Sequence, residues 1–203
     1  MSKLRRIVLL RHGDTEGDSK TRFHGSGDVA LSAEGRAQVR SAAQGLSGEV
    51  FDLIVASPLR RSWESARLIA GSAPVRLEDG FREIDFGRWE GMTAEEIQAA
   101  DPASYQEWQE KGSAFEFPGG EPRAAFRARV LEGLARLKDS GVANVLVVAH
   151  KGVIRTIAEA LLGEPLEGGK DLALGEAVTL TLGPDGKWFV GRRSSNPEGV
   201  EAA

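Results

Sequence analysis

Ile7-Val8-Leu9-Leu10-Arg11-His12-Gly13 is a short apolar run that ends in an arginine, a histidine and a glycine. A run of this length bounded by charge is the pattern of a buried strand. Packing gives no reason for those three residues to follow it. In an open α/β sheet, the residues just past the C-terminal end of a strand fall in the crevice where ligands bind. Arg11 brings a planar cationic fork suited to phosphate. His12 brings a nitrogen that is nucleophilic near neutral pH. Gly13 has no Cβ, so backbone or ligand can come close.

Two more apolar runs end in the same manner. Asp52-Leu53-Ile54-Val55-Ala56 leads into Ser57-Pro58-Leu59-Arg60, and Asn144 to Ala149 leads into His150-Lys151-Gly152. Helical patterns lie between them. Ser32 caps one, with Glu34 in its first turn and Ala37, Ala42, Ala43 and Leu46 as a modest apolar face. Ser57-Pro58 reads as a cap and first-position pair opening a second, with Leu59, Ala66, Ile69 and Ala70 toward the sheet. Phe126, Val130, Leu134 and Leu137 mark a longer helix. Val153, Ile154, Ile157, Leu161 and Leu162 mark another, stopped by Gly163.

Strands that alternate with helices imply a mostly parallel open α/β sheet flanked by helices. Pro74 to Leu77 is a weak further strand. Thr93 with Glu96 is a capping box, Asp101-Pro102 starts another helix, and residues 93–120 read as a small helical insertion. Ala177 to Leu182, the turn Pro184-Asp185-Gly186 and Trp188-Phe189-Val190 predict a C-terminal β-hairpin. The expectation is one domain over residues 1–203.

The chain has 203 residues, 41% hydrophobic and 28% charged, as soluble globular proteins do. Its net charge of −4 argues against a nucleic-acid partner, so clustered arginines become informative. There is no cysteine, which excludes disulfides and thiolate metal sites. The apolar run behind the basic N-terminus is too short for a signal sequence or a membrane span. The expectation is a cytoplasmic protein with no membrane partner, and a homodimer is left open.

If the strand ends share one edge, two arginines and two histidines converge there. Arg60 and Arg61 fall in the first turn of a helix, where the macrodipole disfavours cations unless an anion shares the spot. The set suits a phosphoryl group: arginines clamp the oxygens, one histidine attacks and the other donates. Glu83, in the irregular segment Phe81 to Gly91, is the candidate acid for the leaving oxygen.

These residues resemble the histidine phosphatase superfamily, also called phosphoglycerate mutase-like, in its phosphatase branch. The resemblance rests on Leu10-Arg11-His12-Gly13-Asp14-Thr15, Arg22-Phe23-His24-Gly25 with Asp28, and Leu31-Ser32-Ala33-Glu34-Gly35. It continues through Ala56-Ser57-Pro58-Leu59-Arg60-Arg61, Arg82 to Gly91, Pro118-Gly119-Gly120-Glu121 and Ala149 to Arg155. It implies a phosphomonoesterase acting on a small phosphorylated substrate through a phosphohistidine on His12. Arg11, Arg60 and His150 would bind the phosphoryl oxygens. Glu83 would protonate the leaving oxygen and then activate water, with no metal or other cofactor. Asp18, His24 and Gly25 align with substrate contacts of relatives.

Three departures concern the substrate. Asp18 stands where many relatives have asparagine, Lys151 where a small residue is common, and Pro122 where serine is common. Several readings stay open at this level. Glu83 could be a structural ion-pair partner, His24 a solvated loop residue, and Trp89 either core or pocket wall. Arg61 reads better as a surface ion pair with Glu64 than as a phosphate contact. The rival functions are phosphoglycerate mutase-type transfer and a non-catalytic phospho-ligand binding module.

Overall fold

Residues 7–10 and 145–148 alternate across a sheet that is covered on both faces, which is why their sequences are apolar without interruption. A computed structural model describes residues 4–17, 21–166 and 172–194. The strands are β1 (Arg6–Arg11), β2 (Leu53–Ala56), β3 (Val75–Leu77), β4 (Asn144–Ala149), β5 (Ala177–Leu182) and β6 (Trp188–Ser194). They form one sheet in the order β3-β2-β4-β1-β5-β6. The four strands from β3 to β1 are mutually parallel, and β5 and β6 close the other edge antiparallel as the expected hairpin.

The helices are α1 (Ala33–Gly45), α2 (Arg60–Ala70), α3 (Ala94–Ala100), α4 (Pro102–Lys111), α5 (Arg123–Asp139) and α6 (Lys151–Leu162). On one face Val8, Leu10, Leu146 and Val148 pack with Ala42 and Leu46 of the α1 end and Ala66 of α2. On the other, Ile7, Leu9, Val145 and Val147 pack with Phe126, Val130 and Leu134 of α5 and with Val153, Ile154 and Ile157 of α6. Each such side chain contributes about 1.5–3 kcal/mol on burial. Trp89 belongs to this second core: it is 2% exposed, stacked on Phe115 at 5.0 Å and edge-on to Trp108 of α4.

Capping follows the sequence closely. Ser32 accepts the Gly35 N–H, Thr93 and Glu96 form the reciprocal box, and Gly163 ends α6 in the left-handed region at φ 81°. Two local expectations are corrected. In α1 the buried positions are Gly35, Val39 and Ala42, while Ala37 faces solvent. Gly35 is forced by proximity: a Cβ there would stand 2.0 Å from the Asp14 carbonyl oxygen. And α2 begins at Arg60, not at Pro58, with Ser57 forming the turn before it. No helix among the described residues is long and apolar enough to cross a membrane.

Candidate active site

Strand register decides what meets at the sheet edge. Arg11 of β1 pairs with Ala149 of β4, and Ala56 of β2 pairs with Val148. The ladder runs one step further, with the His12 N–H on the Ala149 carbonyl and the Ser57 N–H on the Val148 carbonyl, both at 3.1 Å. His12, Ser57 and His150 therefore leave the sheet side by side. The two imidazoles meet edge-on, 5.0 Å between centroids, with 7% and 1% of the residues exposed.

The hydrogen bonds fix the tautomer of His12 and orient that of His150. His12 Nδ1 lies 2.7 Å from the Gly13 carbonyl oxygen. A carbonyl only accepts, so Nδ1 carries the proton and the lone pair of the neutral ring is on Nε2. Ser57 Oγ accepts the Leu59 N–H at 3.2 Å and lies 2.8 Å from His150 Nε2. With its oxygen already accepting from Leu59, the Ser57 hydroxyl is placed to donate to that nitrogen, the tautomer in which His150 Nδ1 holds a proton. His150 Nδ1 is buried without a hydrogen-bond partner among the described residues.

Burial, then the charges of Arg61 and Arg11, hold the pKa of His12 well below its ordinary 6.5. Burial and Arg61 do the same for His150, with further contributions from His12 and Arg11. Both rings are thus neutral near pH 7, and His12 Nε2 is available to attack.

The structure separates the two arginines at the start of α2. Arg60 is half exposed; its Nε donates to Glu64 at 2.7 Å, and its backbone N–H is capped by Asp28 at 2.6 Å. The anions that offset a cation at this helix start are thus carboxylates of the chain itself. Arg61, expected at the surface, is fully buried. Its guanidinium donates to the carbonyls of Gly27 at 2.7 Å, Gly25 at 2.6 Å and His24 at 3.3 Å. Its Nε is buried with no hydrogen-bond partner among the described residues, and burial lowers its pKa to about 10. The ion pair with Glu64 is made by Arg60 and Arg36 instead.

Arg11 donates from Nη1 to the Leu172 carbonyl at 2.8 Å. Glu83 is buried and makes no ion pair among the described residues. Its Oε1 accepts the N–H of Ile84 and its Oε2 that of Gly152 in the first turn of α6, both at 3.0 Å. Its backbone is held by Arg129, which donates to the Glu83 carbonyl at 3.0 Å while forking onto Glu121 with two 2.7 Å bonds. Gly25 sits in a loop whose N–H groups at 25, 26 and 27 all point to Glu90. His24 Nε2 donates to the Gly17 carbonyl at 3.3 Å, and Asp18 lies outside the described residues. Lys151 is exposed, and Pro122 stands at the start of α5 without a side-chain cap.

Residues 7–195 match the sequence model of the histidine phosphatase superfamily, branch 1. The chain belongs to this superfamily. Among superfamily members, phosphoserine phosphatase 1 of Hydrogenobacter thermophilus is 36% identical over 164 residues, covering 79% of this chain and 78% of the relative. A glucosyl-3-phosphoglycerate phosphatase of Mycolicibacterium vanbaalenii is 36% identical over 175 residues, covering 81% and 77%. The fold matches the crystal structure of the α-ribazole phosphatase of Shigella flexneri with a TM-score of 0.84 at 27% identity, covering 97% of this chain and all of that one.

Ser57, Arg61 and Arg129 escaped the sequence reading as parts of the site. For Arg61 a signal existed: Ser62, Ser65 and Ala66 are small and mark the inward stripe of α2. Arg129 left none, because its partners lie 8 to 49 residues away in the chain.

Proposed function

We propose that the protein is a phosphomonoesterase that hydrolyses a small phosphorylated metabolite through a phosphohistidine on His12. The observation that carries this is the pairing of a neutral, buried His12, its lone pair on Nε2, with buried donors on Arg61 and His150 that have no partner among the described residues. Buried donors of this kind are uncommon, and an anion with three oxygens answers them.

In the first step, His12 Nε2 attacks phosphorus as the bond to the ester oxygen breaks, and Glu83 delivers a proton to that oxygen. In the second, Glu83 takes a proton from water, the hydroxide attacks phosphorus, and His12 leaves with inorganic phosphate released. Arg11, Arg61 and His150 Nδ1 neutralise the oxygens throughout, so charge is supplied by the chain rather than by a metal. Arg61 takes the role first given to Arg60. Most of the acceleration is then positioning and preorganised charge.

Rapid quenching during turnover of a labelled phosphomonoester should trap an acid-labile label on the enzyme. The His12→Asn variant should carry none, and its kcat should fall by more than about 10²-fold. Turnover without a trapped label, or a smaller loss, refutes the nucleophile. In Glu83→Gln, kcat for alkyl phosphates should fall more than that for p-nitrophenyl phosphate, whose leaving oxygen needs little protonation.

A further inference from the structure

The loop that receives Arg61 is held from both sides. On one side its carbonyls at His24, Gly25 and Gly27 accept from the guanidinium. On the other, the N–H groups of Gly25, Ser26 and Gly27 converge on the carboxylate of Glu90. A trans peptide unit is planar, with its C=O and N–H pointing in opposite directions. Two such units therefore span the gap directly. The first joins the Gly25 N–H, 3.1 Å from Glu90 Oε2, to the His24 carbonyl, 3.3 Å from Arg61 Nη2. The second joins the Ser26 N–H, 2.8 Å from Glu90 Oε1, to the Gly25 carbonyl, 2.6 Å from the same Nη2. Hydrogen bonds linked in this way polarise and strengthen one another.

The residues of the loop are small where this arrangement needs it. A Cβ on Gly25 would stand 2.2 Å from the Ile84 carbonyl oxygen and 2.3 Å from Glu90 Oε1. Glu90 is itself anchored. Trp89 before it is buried in the core, and the Gly91 N–H after it donates to the Phe23 carbonyl at 2.9 Å. Its Oε1 also accepts the Phe86 N–H at 2.9 Å, so four backbone donors share its two oxygens. Burial lowers the pKa of Arg61, and the charges of Glu83 and Glu90 oppose this.

We infer that Glu90 is a positioning residue for phosphoryl binding: its carboxylate fixes the peptide units between residues 24 and 26, and these aim the guanidinium of Arg61. This rests on the phosphatase reading above and adds to it a residue that touches neither the substrate nor the reacting atoms.

Glu90→Gln keeps the size of the side chain and replaces one acceptor oxygen by an NH2 donor. Whichever way the amide turns, two of the four backbone N–H groups then face another donor. Affinity for inorganic phosphate, measured by calorimetry, and kcat/KM should each fall about tenfold, the scale of one charge-assisted hydrogen bond. The kinetic loss should be equal for alkyl phosphates and p-nitrophenyl phosphate, because both present the same phosphoryl oxygens. In an Arg61→Met background, Glu90→Gln should weaken phosphate binding no further. Glu90→Asp, which keeps the charge and loses the reach, should resemble Glu90→Gln.

A lower unfolding midpoint with unchanged phosphate affinity would reduce Glu90 to a structural residue and overturn the inference. A tenfold loss that persists in Arg61→Met, or full affinity in Glu90→Asp, overturns it too. So does a loss confined to alkyl phosphates, which would act on Glu83 through Phe86. If the wild type hydrolyses neither ester, the phosphatase reading fails, and the phosphate-binding comparison still decides the role of Glu90. Should the variants not fold, the wild type decides: saturation with phosphate should slow hydrogen exchange at the amides of residues 25–27 and 86, and exchange there that ignores phosphate refutes the coupling.

Discussion

Gly152 shows how closely one atom is rationed at this site. A Cβ built on it would lie 2.5 Å from Glu83 Oε1 and 3.1 Å from Phe126 Cζ. Gly152→Ala favours the helix by about 0.5–1 kcal/mol, while crowding costs a comparable amount, since the carboxylate end is the part able to give way. The unfolding midpoint should therefore move little. The carboxylate, displaced from the Gly152 N–H, should lose its aim, and kcat for alkyl phosphates should fall about 10²-fold. The loss should be smaller for p-nitrophenyl phosphate, whose leaving oxygen needs little protonation. Equal losses on both substrates would mean that Gly152 acts on phosphate binding and not through Glu83.

Helix α2 carries the sharpest contrast at the scale of an element. Neighbouring residues of a helix point about 100° apart, so which of Arg60 and Arg61 enters the site depends on helix phase. Phase is set by packing: Leu59, Ser62, Ser65 and Ala66 are buried, and Arg61 goes in with them. Arg60→Gln breaks an exposed pair with Glu64 and should cost less than about 1 kcal/mol, leaving turnover near that of the wild type. Arg61→Met strands the carbonyls of His24, Gly25 and Gly27, at about 1–3 kcal/mol for each that stays unsatisfied. It should also lower kcat/KM by about 10²–10³-fold. Denaturant unfolding and steady-state kinetics on the two variants check this; a larger kinetic loss in Arg60→Gln would reverse the assignment. The same element shows what a sequence discloses. The strands, the capping box and the convergence of His12 with His150 were legible because they rest on local patterns and on parallel connection. The facing of Arg61, the Ser57–His150 bond and the grip of Arg129 on Glu83 were not, because tertiary contacts across the chain create them.

For the whole molecule, the two buried imidazoles make stability a function of pH. Both have folded-state pKa values well below 6.5, chiefly through burial and the charge of Arg61. The unfolded chain therefore binds more protons than the folded one in the window below about 6.5. Stability is then fully present above that value and is lost as pH falls toward the folded-state values, by up to about 1.4 kcal/mol per pH unit for each histidine. Glu78, whose carboxylate is held ionised first by its hydrogen bond with Arg136, contributes in the same direction at lower pH, where carboxylates begin to take protons. The two origins separate by substitution: His12→Asn with His150→Asn should flatten the urea midpoint between pH 7 and 5.5 and leave the steeper fall at lower pH in place. An unchanged slope in the double variant would mean that the rings are not held neutral by their surroundings. The availability of His12 Nε2 for attack would then lose its electrostatic basis.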